Sequence, residues 1–261
     1  MSRILITGAS DGLGRALAEA LAGHGHELIV HGRDPDRLAA VAEKTGGFPM
    51  RADLSDLSAV RDLARAVSAR YDALDVLVNN AGVGFGAPGV GRQVSRDGIE
   101  LRMAVNYLAP YVLSRSLVPL LKAAAPARIV NVASIGQLDV DLDDLMNERH
   151  YNGTSAYRRS KLALICDTFD LADELAGTGV TVNAVHPAAL MPTTMVREAQ
   201  RGTIDALETG LAAVLRVVVD PALIYVTGRY FEGGREGRAR DQAYDRSFRA
   251  ALRARAAQLV G

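Results

Sequence analysis

Tryptophan is absent from the chain and cysteine occurs once, at position 166. A lone thiol excludes an internal disulfide framework and a cysteine-rich metal site. Cys166 stands among the apolar positions of "SKLALICDTFD", which predicts a packed core thiol in place of redox chemistry. The five histidines are scattered without an HExxH grouping, and His24 and His26 bracket Gly25 in what reads as a turn. No metal site is predicted. Neither sign of charge dominates, since Lys+Arg and Asp+Glu are both 30 and no long block of one charge occurs. Nothing in this balance suggests a nucleic-acid partner, and none is expected. Long apolar runs are missing too, and the opening "MSRILITGAS" meets Gly and polar residues too soon for a signal peptide. The expectation is a cytoplasmic protein with no membrane partner. Repeats, low-complexity tracts and interdomain linkers are also lacking, so one α/β domain over residues 1–261 is expected.

What the chain does contain is alternation. "RILIT", "ELIVH", "LDVLVNN", "ARIVNVAS" and "GVTVNAVHP" read as strands, separated by helical segments such as "RALAEALAG" and "LSAVRDLARAVSARY". Strand and helix in turn imply a parallel sheet, and strands nearly continuous in Val, Ile and Leu suit a sheet covered on both faces. This predicts a doubly wound, Rossmann-type architecture. Two stretches interrupt the alternation, 81–93 and 187–202, each rich in Gly, Pro or small residues and each following a strand. Ligands of open parallel sheets bind beyond the carboxyl ends of strands, where such loops lie. The last segment, "RARDQAYDRSFRAALRARAAQLVG", reads as a charged amphipathic helix for packing or subunit contact within a C-terminal extension of about 236–261.

Directly after the first strand, "TGASDGLGRALAEAL" puts Gly8, Gly12 and Gly14 at the turn into a helix. Positions without side chains let backbone N–H groups approach a phosphate, and a helix N-terminus adds a favourable partial charge. The turn predicts dinucleotide binding. Further on, "SAYRRSKLALICDTF" places Tyr157 and Lys161 at i and i+4, neighbours on one helical face.

With its Gly-x-x-x-Gly-x-Gly spacing the sequence resembles the short-chain dehydrogenase/reductase family. The likeness continues in order through "NNAG" at Asn79 to Gly82, Asn106 in "MAVNYLAP", Ser134 in "NVASIG", and Tyr157 and Lys161 in "YRRSK". It runs from residue 3 to about residue 235, and several ordered motifs are far more specific than one. The resemblance implies a tetrad of Asn106, Ser134, Tyr157 and Lys161. Tyr157 would exchange the proton, with Lys161 favouring its phenolate form and bonding a ribose. Ser134 would hold the reacting oxygen, and Asn106 would position a water that relays protons. It also implies a cofactor surface of Gly8, Ser10, Asp11, Gly12, Leu13 and Gly14, then Arg33, Asp53 and Leu54, then Asn80, Ala81 and Gly82, and finally Pro187, Ala188 and Leu190, with Tyr157 and Lys161 shared. Asp53 and Leu54 fall where the family contacts the adenine ring.

The end of the second strand, "LIVHGRDPDR", selects the cofactor. Where a member that uses NAD(H) places an acidic residue against the ribose, this chain has Gly32, followed by Arg33, whose guanidinium can bind a 2′-phosphate in paired hydrogen bonds. Arg37 can add a second charge. NADP(H) is therefore expected over NAD(H), although Asp34 offers a competing carboxylate and Asp11 stands where relatives that use NADP often carry a basic residue. Two features depart from the common pattern: Pro187-Ala188 in place of Pro-Gly, and an added acidic stretch "DVDLDDLMNERHYNG" before Tyr157. The latter resembles the retinol-dehydrogenase-like members and hints at a lipophilic carbonyl compound or its alcohol. The resemblance thus implies a ketoreductase or alcohol dehydrogenase with a small-molecule substrate gripped by a loop of about 187–210, and a homodimer or homotetramer paired through amphipathic helices. A regulatory dinucleotide-binding protein, and an epimerase or dehydratase without net redox change, are the alternatives.

Overall fold

A computed structural model describes all 261 residues. The chain runs through β1 (Arg3–Ile6), α1 (Gly12–Gly23), β2 (Glu27–Gly32), α2 (Pro35–Thr45), β3 (Phe48–Arg51), α3 (Leu57–Arg70) and β4 (Val76–Asn79). Then come α4 (Leu101–Met103), a π-helical turn (Ala104–Leu108), α5 (Ala109–Ala123), β5 (Ala127–Val132), α6 (Gly153–Glu174) and β6 (Val180–His186). The remainder is α7 (Thr194–Glu198), α8 (Leu207–Val219), β7 (Arg229–Glu232), β8 (Arg235–Glu236) and α9 (Arg246–Val260). Acidic or amide side chains start many of the helices. Asp34 accepts from Asp36 N and Arg37 N, Asp56 from Ser58 N and Ala59 N, Asn152 from Ser155 N, and Asp245 from Ser247 N and Phe248 N. Each satisfies amides that a first helical turn leaves without partners.

The eight strands form one sheet in the order β3-β2-β1-β4-β5-β6-β7-β8, parallel throughout except for the antiparallel β7–β8 pair. The order reverses between β1 and β4, so their carboxyl ends flank the crevice where a doubly wound sheet binds ligands. Alternate strand residues feed two cores. Leu5, Ile29 and Leu77 face the larger one beneath α3, α5 and α6, while Ile4, Ile6, Val30 and Val78 face the other beneath α1, α2 and α8. Both faces are covered, as the continuous apolar strands predict.

Two readings of the chain change. β3 carries the sequence Phe-Pro-Met-Arg, of which only Met50 is buried, and such an edge strand has no apolar run to announce it. The terminal helix starts only at Arg246, after a 3₁₀ turn over Asp241–Tyr244, because Asp245 caps it there. The C-terminal segment, expected for packing or subunit contact, packs within the chain. α9 lies on α6 with Leu252 and Ala256 buried, and Arg249 pairs with Asp173 at 3.1 Å and Arg253 with Asp170 at 2.9 Å. The extension is thus a packing element, and Cys166 beneath it is 1% exposed. No helix is long and apolar enough to cross a membrane.

Candidate active site

The carboxyl ends of the central strands open on one cleft of about 1220 Å³. One end is built from the glycine turn. Gly8 (φ +66°) and Gly12 (φ +50°) adopt left-handed backbone, and a Cβ at Gly8 would come within 2.8 Å of Ala81 Cα. Gly14 packs so closely on the Gly8 carbonyl and the Asn80 amide that no side chain fits. Asn80 completes the turn by donating from Nδ2 to the carbonyls of Thr7 (2.9 Å) and Gly8 (3.2 Å), while Thr7 Oγ1 accepts from Asn80 N and Ala81 N. The loops after β1 and β4 are therefore one unit.

His31, on β2, extends that unit. Its Nδ1 accepts from Gly8 N at 3.2 Å and its Nε2 lies 3.2 Å from the Ala52 carbonyl, next to Asp53 and Leu54. Burial lowers its pKa to about 4, so the ring is neutral and Nε2 carries the proton toward Ala52. Beyond it lie Gly32, Arg33, Asp34 and Arg37. A Cβ at Gly32 would approach Ser10 Oγ to 2.8 Å. Arg33 makes no ion pair, whereas Arg37 Nη1 stands 3.6 Å from Asp11 Oδ2.

The other end holds Ser134, Tyr157 and Lys161. Ser134 follows β5, and its hydroxyl accepts from Gly136 N at 3.0 Å. Tyr157 is 7% exposed, and burial raises its pKa above the ordinary value against a smaller lowering by the Ser134 side chain. Lys161 Nζ donates to the Val132 carbonyl at 2.7 Å and lies 5.9 Å from the centre of the Tyr157 ring. Burial brings its ammonium down to about 8 with no carboxylate to compensate. Desolvation is the largest influence on both groups.

Asn106 lies deeper. It sits in the π-helical turn, 1% exposed, behind the cleft wall. Its Oδ1 accepts from Val83 N at 2.7 Å, and its Nδ2 donates to the Val83 carbonyl at 2.9 Å and to Ser160 Oγ at 3.0 Å. With those bonds made, the side chain clamps the β4 loop to α6. It does not face the cleft.

All the other expected residues line the cleft: Ser10, Asp11, Leu13, Asp53, Leu54, Gly82, Pro187, Ala188 and Leu190 among them. The loop expected over 187–210 holds α7 and ends where α8 begins at Leu207. It closes one side of the cleft, with Met195 against Gly84, and a Cβ at Gly12 would approach Thr193 at 3.2 Å. Val83, Phe85 and Met191, from the two loops expected beyond the strand ends, form an apolar wall with Ile135, Leu101 and Val105; sequence reasoning missed the last two, because no spacing rule marks residues of a helical segment as neighbours of separate loops.

Comparison with known proteins agrees with this geometry. The sequence model of the short chain dehydrogenase family matches residues 2–203. Human (Homo sapiens) retinol dehydrogenase 13 is 31% identical over 99% of this chain and 84% of its own length. The crystal structure of 3-ketoacyl-(acyl-carrier-protein) reductase from Brucella melitensis, complexed with NADH, superposes with a TM-score of 0.72 at 25% identity, covering 90% of this chain and 98% of that one. A short chain dehydrogenase from Burkholderia cenocepacia in complex with NADP gives 0.71 at 28% identity, over 90% of this chain and 97% of that one. A doubly wound sheet, a glycine turn at its switch point, and serine, tyrosine and lysine facing one cleft therefore go with sequence likeness over most of the chain: the protein belongs to the short-chain dehydrogenase/reductase family of oxidoreductases.

Proposed function

We propose that the protein is an NADP(H)-dependent ketoreductase or alcohol dehydrogenase for a lipophilic carbonyl compound or its secondary alcohol. The observation that carries this reading is the single cleft, with Ser134, Tyr157 and Lys161 at one end and the glycine turn and Arg33 at the other. The residues fit a dinucleotide. Backbone without side chains lines the turn where a Cβ at Gly8 would reach Ala81 Cα at 2.8 Å, and first-turn amides of α1 have no intrahelical acceptors. Gly8 to Gly14 would hold the pyrophosphate, Asp53 and Leu54 the adenine, and Lys161 the ribose beside the nicotinamide. When bound, the nicotinamide supplies or takes the hydride.

The chain's own groups handle the proton. Ser134 Oγ holds the carbonyl oxygen as charge develops on it. Tyr157 Oη, protonated across the neutral range because burial raises it, donates to that oxygen in reduction and accepts the proton back in oxidation. Lys161 sets an ammonium near the tyrosinate as it forms, and holds that charge up to about pH 8. The apolar wall around Phe85 excludes water and suits a lipophilic substrate, in keeping with the retinol named for a relative.

Preference for NADP(H) is supported by the second strand's end. Gly32 carries no carboxylate, and Asp34 spends its own on the α2 cap, accepting from Asp36 N at 3.1 Å and Arg37 N at 3.0 Å. Arg33 is exposed at the cleft, unpaired and ready to take a 2′-phosphate. A guanidinium–phosphate bond lost from such a site costs ~1.5 to 3 kcal/mol, about ten- to a hundredfold in affinity. Titration of NADPH and NADH into wild type and Arg33→Ala is expected to show that loss for NADPH alone. Equal losses for both, or tighter NADH binding by the wild type, would refute the preference.

A further inference from the structure

Behind the β4 loop lies a charged pair that the proposed chemistry does not use. Glu100 is 0% exposed and Arg102 is 1% exposed. Buried charge is costly unless every polar atom is bonded, and here the bonds run to three separate segments. Arg102 Nε donates to the Gly84 carbonyl at 2.8 Å, and its Nη1 donates to Glu100 Oε1 at 3.1 Å and to Tyr151 Oη at 2.6 Å. Tyr151 Oη in turn donates to Glu100 Oε1 at 3.2 Å, while Glu100 Oε2 accepts from Arg102 N and Met103 N, both at 2.9 Å. The arginine thus joins the loop after β4 to the residues that lead into α6.

The backbone around it is shaped to the guanidinium. Gly86 has φ +84°, and a Cβ there would stand 2.7 Å from Arg102 Nη2. Gly153, the first residue of α6, lies so close to the Phe85 carbonyl that a side chain would collide with it. Between Gly84 and Gly86 the chain presents Phe85, whose ring centre is 4.5 Å from that of Tyr157 at an interplanar angle of 55°. On the cleft-closing loop Arg201 places its guanidinium 4.2 Å from the Phe85 ring centre and donates to Thr154 Oγ1 at 3.0 Å.

We infer that Arg102 is a positioning residue for Tyr157: anchored by Glu100 and Tyr151, it fixes the turn over Gly84 to Gly86 so that Phe85 packs on the tyrosine ring and sets its orientation toward the cleft. The inference rests on the reading of Tyr157 as the proton donor. A glycine on each side of Phe85 leaves that turn little stiffness of its own, so the bond from Arg102 to the Gly84 carbonyl fixes it one residue beyond the Asn106 clamp on Val83. An aromatic pair at this separation is attractive in itself, but only while the turn keeps the rings together. Lysine in place of Arg102 keeps the charge and loses the fork that reaches Gly84 and Tyr151 together.

The test reads the ring contact directly, in the full-length chain. With tyrosine ring-labelled protein, the Tyr157 signals are identified by their loss in Tyr157→Phe, and the Phe85 ring current is measured by their movement in Phe85→Leu. Arg102→Lys is expected to move them most of the way to the Phe85→Leu positions. Tyr151→Phe, which removes one hydroxyl and is the milder change, should move them part of the way, while the exposed Tyr225 stays in place. A merely structural arginine would lower the melting temperature and leave the Tyr157 signals unmoved, and that result would overturn the inference. With all-trans-retinal and NADPH as probe, Arg102→Lys and Phe85→Leu should each lower kcat about tenfold or more without changing NADPH affinity, since small misplacements at the reacting group carry such costs. Their combination should cost no more than either alone. Full activity in Tyr157→Phe would refute the chemical reading instead, and the ring-current result would still decide the positioning.

Discussion

Lys161 is a buried ammonium with no carboxylate beside it, and the cost is measurable as a pH dependence of stability. Burial takes its pKa from an ordinary 10.5 to about 8. Between those values the unfolded chain keeps the proton that the folded chain has released, so folding stability rises with pH across that window. At pH 7 the folded protein carries the whole penalty, and by pH 10 most of it is gone, a gain on the order of 2–3 kcal/mol. Lys161→Met removes the titration. The Val132 carbonyl also loses its donor, but that loss is the same at every pH. Tyr157 acts in the opposite sense, since its raised pKa makes stability fall at alkaline pH, and it is present in both proteins and cancels in the difference. Urea unfolding of the two proteins at pH 7, 8, 9 and 10 should therefore show wild type gaining about 2–3 kcal/mol on the variant, mostly above pH 8. Parallel stabilities across the range would mean that the ammonium is solvated or paired, and the reasoning from burial would fail.

Other outcomes follow from packing. Gly14→Ala pushes a methyl into the Gly8 carbonyl and the Asn80 amide, and should cost ~1–3 kcal/mol of stability together with most of the NADPH affinity; fluorescence titration and thermal melting check both, and an unchanged affinity would contradict the role of the turn. Deleting residues 246–261 uncovers α6, so Cys166, 1% exposed in the intact protein and expected to resist a thiol reagent there, should react within minutes and the truncated chain should self-associate on size-exclusion chromatography. A truncated chain whose thiol stays protected would contradict the covering role of α9.

How much of this was legible in the sequence depended on whether the signal was local. β1, β2, β4, β5 and β6 showed because each is a run of apolar residues, and the glycine turn because its three glycines stand between strand and helix. β3 did not show, since one buried residue at an edge leaves no pattern. Ser134, Tyr157 and Lys161 were found by the order of their motifs and do share the cleft. Asn106 was found the same way, but its hydrogen bonds to Val83 and Ser160 come from segments 23 and 54 residues away, a distance over which no spacing rule operates. Arg102 gave no signal. A glutamate and an arginine two residues apart do not face each other on a helix, and only the tertiary fold brings both to Tyr151. The covering of α6 by α9 was hidden for a similar reason: charges on both helices read as solvated faces until the fold pairs them.

Absorbance at the reduced-nicotinamide band reports whether a nicotinamide-dependent oxidoreduction takes place with Tyr157 moving the proton. Wild type and Tyr157→Phe are each mixed with NADPH and a panel of lipophilic aldehydes and ketones that includes all-trans-retinal, and NADPH binding is followed in parallel. At least one carbonyl compound is expected to drive consumption of NADPH by the wild type, and Tyr157→Phe to lower that rate by at least ~10²-fold while binding NADPH as well as before. A variant that retains most of the rate, or a wild type that binds NADPH and consumes none across the panel, would contradict this expectation.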